Sequence, residues 1–235
     1  MKKQLLIFLM LLAVVNTQSQ TAQDLFQKSD LKVSYLGIDF SHVKLIGNFA
    51  EFFDAGEKNV MEIRDTYFRR WNMVVLNERE KYDIRGMLRK NDIYYDIEMI
   101  TAVNAQTNLD GIESYNSEKF TEDDIQAFVS QYNLEGKEGI GVVFIAECLN
   151  KSAEEAIFHF VAMNMNTREV LFHRRLRGEP QGFGLRNYWA NSVYRIIQDI
   201  KYYYYNEWRI KAESAGQAAQ AAGAAKKAAP HRRTA

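Results

Sequence analysis

Apolar and polar positions divide the chain into segments with different periods. Residues 31–40 alternate with apolar side chains on both faces, which is typical of a strand inside a covered sheet. Apolar residues then recur at three- and four-residue steps from Val60 to Val75, which predicts a helix. Residues 92–103 are interpreted as a second strand. The first half of the chain therefore predicts strand, helix and strand.

A short helix is expected from Thr121 to Tyr132. Thr121 and Asp124 have the spacing of a capping box, in which each side chain bonds the backbone of the other residue. Asn133 and Gly136 follow and are expected to end the helix. This helix separates the second predicted strand from a third.

Three β-rich runs with short polar turns follow, at residues 141–149, 156–165 and 169–177. They predict an antiparallel meander. A glycine-rich connection at 178–184 leads into a long helix whose apolar stripe predicts a buried face. The stripe consists of Leu185, Trp189, Val193, Ile196, Ile197 and Ile200. The expected fold is α/β (α+β), with a mixed β-sheet, a C-terminal antiparallel meander and helices packed on it, in the order β-α-β-α-β-β-β-α.

The chain is expected to have three parts. Residues 1–19 resemble a cleavable signal peptide, with two lysines before an apolar run at 5–15 and small residues at positions −3 and −1 of a cut before Gln20. An uncleaved membrane anchor is the alternative. Residues 20–213 form a single α/β domain, and residues 214–235 form an Ala-rich basic tail, disordered or a fraying helical extension. The mature chain is expected to be exported and soluble, periplasmic or extracellular, without a transmembrane segment.

The neutral net charge hides an asymmetry. The chain has 30 basic and 30 acidic residues, but two of the basic residues lie in the leader and four in the tail, where there are no acids. Residues 20–213 therefore carry six more acidic than basic residues. Nucleic-acid binding by the folded domain is not expected, because phosphate neutralisation requires clustered Lys and Arg.

A single cysteine, Cys148, lies in a strongly apolar predicted strand. One cysteine cannot form an internal disulfide. We expect a buried, inert thiol; the alternative, a reactive nucleophile, would need an adjacent base.

The glycine-rich connection lies between a predicted strand and a helix start, where backbone N–H groups and the helix dipole favour an anion. It lacks the Gly-Lys-Ser/Thr ending of a P-loop, and the preceding strand belongs to an antiparallel meander. The alternative is a tight turn beneath a packed Trp189. The candidate ligand-binding residues are Arg177, Gly182, Gly184, Arg186 and Asn187.

His159 and His173 lie on consecutive strands of the predicted meander and face each other if the turn centres on Asn166. Two imidazoles can share a metal ion, but zinc usually takes at least three protein ligands. The neighbouring positions on that face are apolar, so no third ligand is identified. The pair is interpreted as incidental, and neither a metal nor a cofactor is expected.

Residues 202–205 are four consecutive tyrosines near the end of the last predicted helix. Four successive helical positions cannot all face one core, because they lie about 100° apart. Extending the core stripe through Ile200 places Tyr202 and Tyr205 on the outside. Exposed tyrosine and tryptophan are typical of protein interfaces, whereas partial exposure at the end of a core helix is the alternative. The candidate partner surface comprises Tyr202, Tyr205, Trp208 and Arg209.

Two segments carry a resemblance to an uncharacterised family of exported proteins from Bacteroidetes-type bacteria. They are residues 33–41, with the sequence VSYLGIDFS, and residues 182–189, with the sequence GFGLRNYW. The resemblance spans about residues 31–210 and implies no known activity. The element order and the pattern Asn164-x-x-Thr167-x-Glu169-Val170 are similar at the level of the fold to anticodon-binding-like envelope-assembly domains. Some of these envelope-assembly domains are lipoproteins, and this chain lacks their lipidation cysteine.

No catalytic constellation is identified, so no catalytic residue is expected. The function expected from the sequence is a non-catalytic exported (periplasmic) interaction or envelope-assembly module, with a protein of the cell envelope as its partner. The alternative is a small-ligand or anion-binding protein that uses the glycine-rich loop, with weak hydrolytic activity left open. Fold-level likeness does not decide between them.

Overall fold

A computed structural model describes residues 20–49 and 59–228. The expected signal peptide at 1–19 and the last seven residues of the expected tail lie outside the described residues. Among the helices of the described ranges, none is both long enough and apolar enough to cross a membrane.

The described residues form eight α-helices and seven strands. The helices are α1 (Ala22–Gln27), α2 (Val60–Glu62), α3 (Arg69–Asn77), α4 (Ile84–Met87), α5 (Glu98–Ala105), α6 (Glu122–Ser130), α7 (Leu185–Asp199) and α8 (Tyr205–Ala228). The strands are β1 (Val33–Asp39), β2 (Lys44–Ile46), β3 (Tyr94–Tyr95), β4 (Glu113–Ser114), β5 (Ile140–Asn150), β6 (Glu155–Asn164) and β7 (Val170–Gly178). The mixed α/β fold is confirmed.

Strand β5 is the centre of a seven-stranded mixed sheet. Along one edge it pairs in parallel with β1 and then with β2, and along the other it pairs with β6 in antiparallel orientation. Strands β3 and β4 extend the parallel side, and β7 pairs with β6 at the opposite edge. Burial of ten consecutive positions of β5 explains why all of them except Glu147 are apolar or glycine rather than alternating with polar residues. The antiparallel meander β5–β6–β7 is confirmed.

The sheet separates two groups of buried apolar side chains. One face packs against α1, α3, α7 and α8 and includes Phe144, Phe160 and Trp189. The other packs against α5 and α6 and includes Ile145, Val161 and Ile125. This second face is the smaller of the two, and it also holds the polar side chains described below.

The long C-terminal helix contains an irregular turn. A π-helical turn, Ile200–Tyr204, joins α7 to α8 without a break. A similar turn, Ile63–Phe68, joins α2 to α3. A π-helical turn inserts one residue into the α-helical repeat and therefore rotates every following side chain around the helix axis. This rotation decides which of the four tyrosines is buried.

The prediction of a strand at 92–103 is correct for Tyr94 and Tyr95 but wrong for the rest of the segment. Only Tyr94 and Tyr95 form a strand, and residues 98–105 form α5. Met99 and Ile100 of α5 are buried against the smaller face of the sheet. Apolar residues in this run also recur at three- and four-residue steps, from Ile97 to Ile100 and from Met99 to Val103, so both periods are present. Packing against the sheet selected the helix.

Two short-range expectations, the capping box and the short polar turn between the last two runs of the meander, are confirmed at the level of single hydrogen bonds. Thr121 and Asp124 form the capping box at the start of α6. Asn164 Oδ1 accepts from the backbone N–H groups of Asn166 at 2.9 Å and Thr167 at 3.2 Å, which closes the β6–β7 turn. Of the two alternatives for the tail, residues 214–228 take the helical one, because they continue α8.

Candidate functional site

A chain of polar side chains crosses the meander on the face that carries α6. Arg175 on β7 bonds both carboxylate oxygens of Glu147 on β5, at 2.8 and 2.7 Å. Glu147 Oε2 lies 3.0 Å from Nε2 of His159 on β6, and His159 Nδ1 lies 2.6 Å from Nε2 of His173 on β7. We call Glu147, His159 and His173 the imidazole relay. Arg175 is its anchor.

A β-bulge brings Glu147 to the two histidines. Ala146 pairs with Phe158 and Cys148 pairs with Ile157, so Glu147 is the extra residue of β5. Without that extra residue, the register of the β5–β6 turn would pair Glu147 with Phe158 on the opposite face of the sheet from His159. Bulges commonly redirect a side chain in this way.

The inner part of the relay is dry. The side chains of Glu147 and His159 are 1 % and 0 % exposed. The ring of Phe120 stacks on His159 with a centroid distance of 5.4 Å, and the Phe120 backbone N–H donates to Glu147 Oε2 at 3.4 Å. Buried charges are tolerated only when they are paired and hydrogen-bonded, and each oxygen of Glu147 meets this condition.

The surroundings of the relay set the charge of Glu147 and of His173, at its two ends. Burial opposes ionisation of Glu147, but hydrogen bonds from Arg175 and His159 outweigh it and lower the pKa of the carboxyl to about 2. A carboxylate only accepts, so Nε2 of His159 carries the hydrogen that points to Glu147. Burial, with His159 and Arg174 nearby, lowers the pKa of His173 to about 4, so this ring is neutral at neutral pH.

The relay ends beside a cleft between α6 and β7. The cleft has a volume of about 400 Å³, and its walls include Glu122, Asp123, Gln126, His173 and Arg174. A volume in this range is sufficient for a small ligand. No hydrogen bond within residues 20–49 and 59–228 reaches Nδ1 of His173. The relay therefore ends next to a small open volume.

The stability of the fold should fall with acid over two adjoining pH ranges. The pKa of His173 is about 4 in the folded chain and 6.5 ordinarily, so the unfolded chain binds more protons between these values and acidification favours unfolding. The pKa of Glu147 is about 2 against 4.5, so its stabilisation is present above pH 4.5 and is lost as the pH falls towards 2. Thermal melting as a function of pH measures both.

The variant His173→Gln is the control for this pH dependence. It keeps a hydrogen-bonding side chain next to His159 but removes the titrating ring, so the loss of stability between pH 6.5 and 4 should become smaller. The loss below pH 4.5 should remain, because Glu147 is unchanged. An unaltered profile in the upper range would show that His173 does not titrate with the fold.

The expected proximity of His159 and His173 is confirmed, but their two other partners were missed. Glu147 and Arg175 are ordinary charged residues in the sequence, and only the bulge places Glu147 on the histidine face. A charged residue inside the otherwise apolar run 140–149 was the one available signal. Within the described residues, no group of three metal-ligating side chains has a geometry that would hold a metal ion.

The two arginines proposed as ligand-binding residues beside the glycine-rich loop bond other side chains of this chain. Arg177 pairs with Glu155 at 2.7 Å and with Glu179 at 3.4 Å. Arg186 bonds Glu78 at 3.2 Å and Asn187 at 2.7 Å. These contacts occupy both guanidinium groups with carboxylate or amide oxygens, so they leave less positive charge for an anion.

The two glycines of that loop have a backbone role. Gly182 and Gly184 have φ of +125° and +80°, a region that favours glycine, and Gly184 is the N-cap of α7. Trp189 packs nearby as expected: it is buried and stacks on Phe49 at 5.5 Å. These features fit the tight turn expected as the alternative to a ligand loop.

The expected partner surface needs a correction. Tyr205 and Trp208 are buried, so their expected exposure is wrong. Tyr205 donates to the carbonyl of Phe26 in α1 at 2.9 Å, and Trp208 packs on Phe172 with ring centroids 5.0 Å apart. The π-helical turn is the cause, because its extra residue makes Tyr205, not Tyr204, the next inward position after Ile200.

Three tyrosines remain on the outside. Tyr202, Tyr203 and Tyr204 are 64 %, 73 % and 38 % exposed. We call these three residues the tyrosine surface. Arg209, the remaining residue of the expected surface, is half-buried and lies 3.9 Å from Glu213. Cys148 is buried as expected, and burial raises the pKa of its thiol.

These features define a mixed α/β protein with a buried carboxylate–imidazole chain on one face of its sheet and an exposed tyrosine surface on its last helix. Comparison with protein-family models, with curated proteins and with solved structures finds no match to this chain.

Proposed function

We propose that this protein is an exported, non-catalytic interaction module that binds a cell-envelope protein through the tyrosine surface. The observation that carries the proposal is the exposure of three consecutive aromatic side chains, Tyr202, Tyr203 and Tyr204, on a helix whose opposite side is anchored in the core. Large exposed apolar patches on folded proteins commonly mark interaction sites.

The backbone beneath the tyrosine surface is held in place. On the inward side, Tyr205 bonds α1 and Trp208 packs among Phe160 and Phe172. Lys201 bonds Asp83 at 2.8 Å, which ties the same turn to the N-cap of α4. A rigid backbone lowers the entropy lost when the surface binds, and tyrosine itself has only two rotatable side-chain bonds.

The ring of Tyr204 is held in one orientation at an edge of the tyrosine surface. Its ring lies parallel to the ring of Trp208, with an interplanar angle of 8° and a centroid distance of 5.8 Å. This contact fixes one edge of the surface, while Tyr202 and Tyr203 project further into solvent. We therefore assign the main partner contact to Tyr202 and Tyr203.

Site-specific photocrosslinking tests the proposal. A photoreactive phenylalanine analogue at position 203 should give one discrete adduct with another protein in intact cells. The same analogue at position 115 is the matched control, because Tyr115 is fully exposed but lies outside the helix. Tyr202→Ser should weaken the adduct at 203 without changing the melting temperature, since an exposed side chain contributes little to stability.

Three results would contradict the proposal. One is equal labelling at positions 203 and 115, which would indicate random contact. Another is an adduct at 203 that Tyr202→Ser leaves unchanged. The third is an adduct formed only with a second copy of the chain, which would indicate self-association. Export is tested separately by N-terminal sequencing of the cell-envelope fraction, where we expect a mature chain that begins at Gln20 or within a few residues of it.

A further inference from the structure

We propose that the partner contacts the tyrosine surface through an acidic segment, and that the guanidinium of Arg89 binds a carboxylate of that segment. This inference rests on the proposed function, because it names the chemistry of the partner that the tyrosine surface binds. It is carried by the place of Arg89 beside that surface, by its contacts within the described residues and by the charges around it.

Arg89 lies against the helix that carries the tyrosine surface. Its guanidinium carbon is 4.1 Å from the centroid of the Tyr205 ring, and its Nη1 donates to Oδ1 of Asn206 at 2.9 Å. Asn206 is exposed and follows Tyr202 by about one helical turn. Because residues about one turn apart are neighbours on the surface of a helix, the guanidinium lies next to the tyrosine surface.

Arg89 is exposed, and no carboxylate of the described part of the chain pairs with it. Lys201, by contrast, is paired with Asp83 at 2.8 Å. The bond to Asn206 uses one N–H donor of Arg89 and leaves donors for another acceptor. A carboxylate fits these donors, because a guanidinium can bind its two oxygens through parallel hydrogen bonds.

The backbone at Arg89 has a conformation that favours glycine. Its φ is +51°, directly after Leu88, the C-cap residue of α4. Glycine or asparagine usually follows a helix end in this conformation, because a Cβ is disfavoured there. The turn therefore gives no reason for an arginine at this position, whereas the contacts of its side chain beside the tyrosine surface do.

The charge beside the tyrosine surface is opposite to that of the whole folded domain. Residues 20–213 carry six more acidic than basic residues. Residues 83–89 and 200–213, which include α4 and the helix with the tyrosines, carry five basic and three acidic residues. They are Arg85, Arg89, Lys201, Arg209 and Lys211 against Asp83, Glu207 and Glu213. An acidic segment is therefore attracted to this side of an otherwise acidic domain, and such complementarity orients partners.

The same charges favour a protein carboxylate over an anionic membrane. Attachment to an anionic bilayer takes clusters of Lys and Arg that act together over a wide surface. Here the basic residues exceed the acidic ones by only two (five against three), on a domain whose net charge is negative. A single guanidinium held by an amide and an aromatic ring suits one Asp or Glu side chain.

Photocrosslinking at position 203 in intact cells measures the contribution of Arg89. Arg89→Glu should lower the yield of the adduct about tenfold, because it replaces a charge-assisted pair with repulsion between two acids. Arg168→Glu is the matched control and should leave the yield unchanged. Arg168 is also exposed and has a φ of +61°, but its carbonyl accepts from Gln126 of α6, which packs on the opposite face of the sheet from α8.

Arg89→Gly separates binding from folding. Glycine removes the guanidinium and suits the φ of +51°, so the melting temperature should remain close to that of the unmodified chain. The yield of the adduct at 203 should nevertheless fall as it does for Arg89→Glu. Circular dichroism of both variants checks the fold.

Mass spectrometry of the adduct then identifies the contact on the partner. We expect Asp or Glu in the crosslinked segment. Changing that acid to Arg in the partner should restore the adduct of the Arg89→Glu chain, because the two charges are then exchanged. A crosslinked segment without an acidic residue would overturn the inference.

The other failures can be told apart. The absence of an adduct at 203 in the unmodified chain would remove the proposed function and this inference with it. An adduct that Arg89→Glu and Arg89→Gly leave unchanged, or that Arg168→Glu weakens equally, would overturn this inference alone. Binding of the full chain to phosphatidylglycerol vesicles that Arg89→Glu abolishes would overturn it in favour of a membrane surface.

Discussion

Replacing Glu147 with alanine should lower the free energy of unfolding by about 1–3 kcal/mol, the range for leaving a buried hydrogen-bonding group without its partner, because His159 is fully buried. The change leaves Arg175 without its two carboxylate contacts and His159 without an acceptor for Nε2–H. It also leaves a cavity beneath Phe120, which stacks on His159. Urea unfolding followed by circular dichroism measures the loss.

Glu155→Ala is the matched control for this prediction. Glu155 also pairs with an arginine across the meander, but Arg177 is 52 % exposed and the pair lies at the surface. Exposed ion pairs contribute about 0–1 kcal/mol, so this variant should remain close to the unchanged protein. Similar losses for the two glutamates would show that burial of the relay has no special weight. A stable Glu147→Ala would contradict the assigned bonding.

Replacing Trp189 with alanine should lower the free energy of unfolding by about 3–5 kcal/mol, the range for emptying a large aromatic site in a core. Trp189 is 1 % exposed and lies between the stacked ring of Phe49 and the edge-on ring of Tyr188. Its Nε1 is buried without a hydrogen-bond partner in the described part of the chain, so shape and apolar contact account for its contribution.

Phe183→Ala is the control for the tryptophan. Phe183 belongs to the same glycine-rich connection but is 73 % exposed, so its removal should change stability by less than about 0.5 kcal/mol. The two variants, compared by urea unfolding, separate core packing from an aromatic contact at the surface. A fully stable Trp189→Ala that had lost only an interaction would assign Trp189 to a binding surface instead.

Structural features that depend on residues close together in the chain could be predicted from the sequence. The Thr121–Asp124 capping box and the Asn164 turn each involve side chains and backbone groups within three residues. The meander was readable for the same reason, because consecutive strands joined by short turns pair with each other. Its turn also determined the pairing that brings His173 to His159.

Elsewhere the sequence did not predict the secondary structure, because some strands are very short and because packing decided the structure of one segment. Strands of two or three residues, such as β2, β3 and β4, carry too few positions for a period to emerge. Residues 98–105 contain both a β-branched composition and a helical spacing, and their contact with the sheet decided between them. Propensity is a weak guide when packing against a sheet can override it.

The sequence by itself determined the mixed α/β class, the C-terminal meander, the long final helix and the burial of Trp189, because each follows from a repeated pattern of apolar positions. Two single-residue irregularities were decided only by tertiary structure. The bulge at Glu147 places a carboxylate on the histidine face, and the π-helical turn at Ile200–Tyr204 buries Tyr205 and leaves Tyr204 partly exposed. One inserted residue leaves the periodic pattern on either side nearly unchanged but redirects the side chains near or beyond it, so only the packed core defines its position.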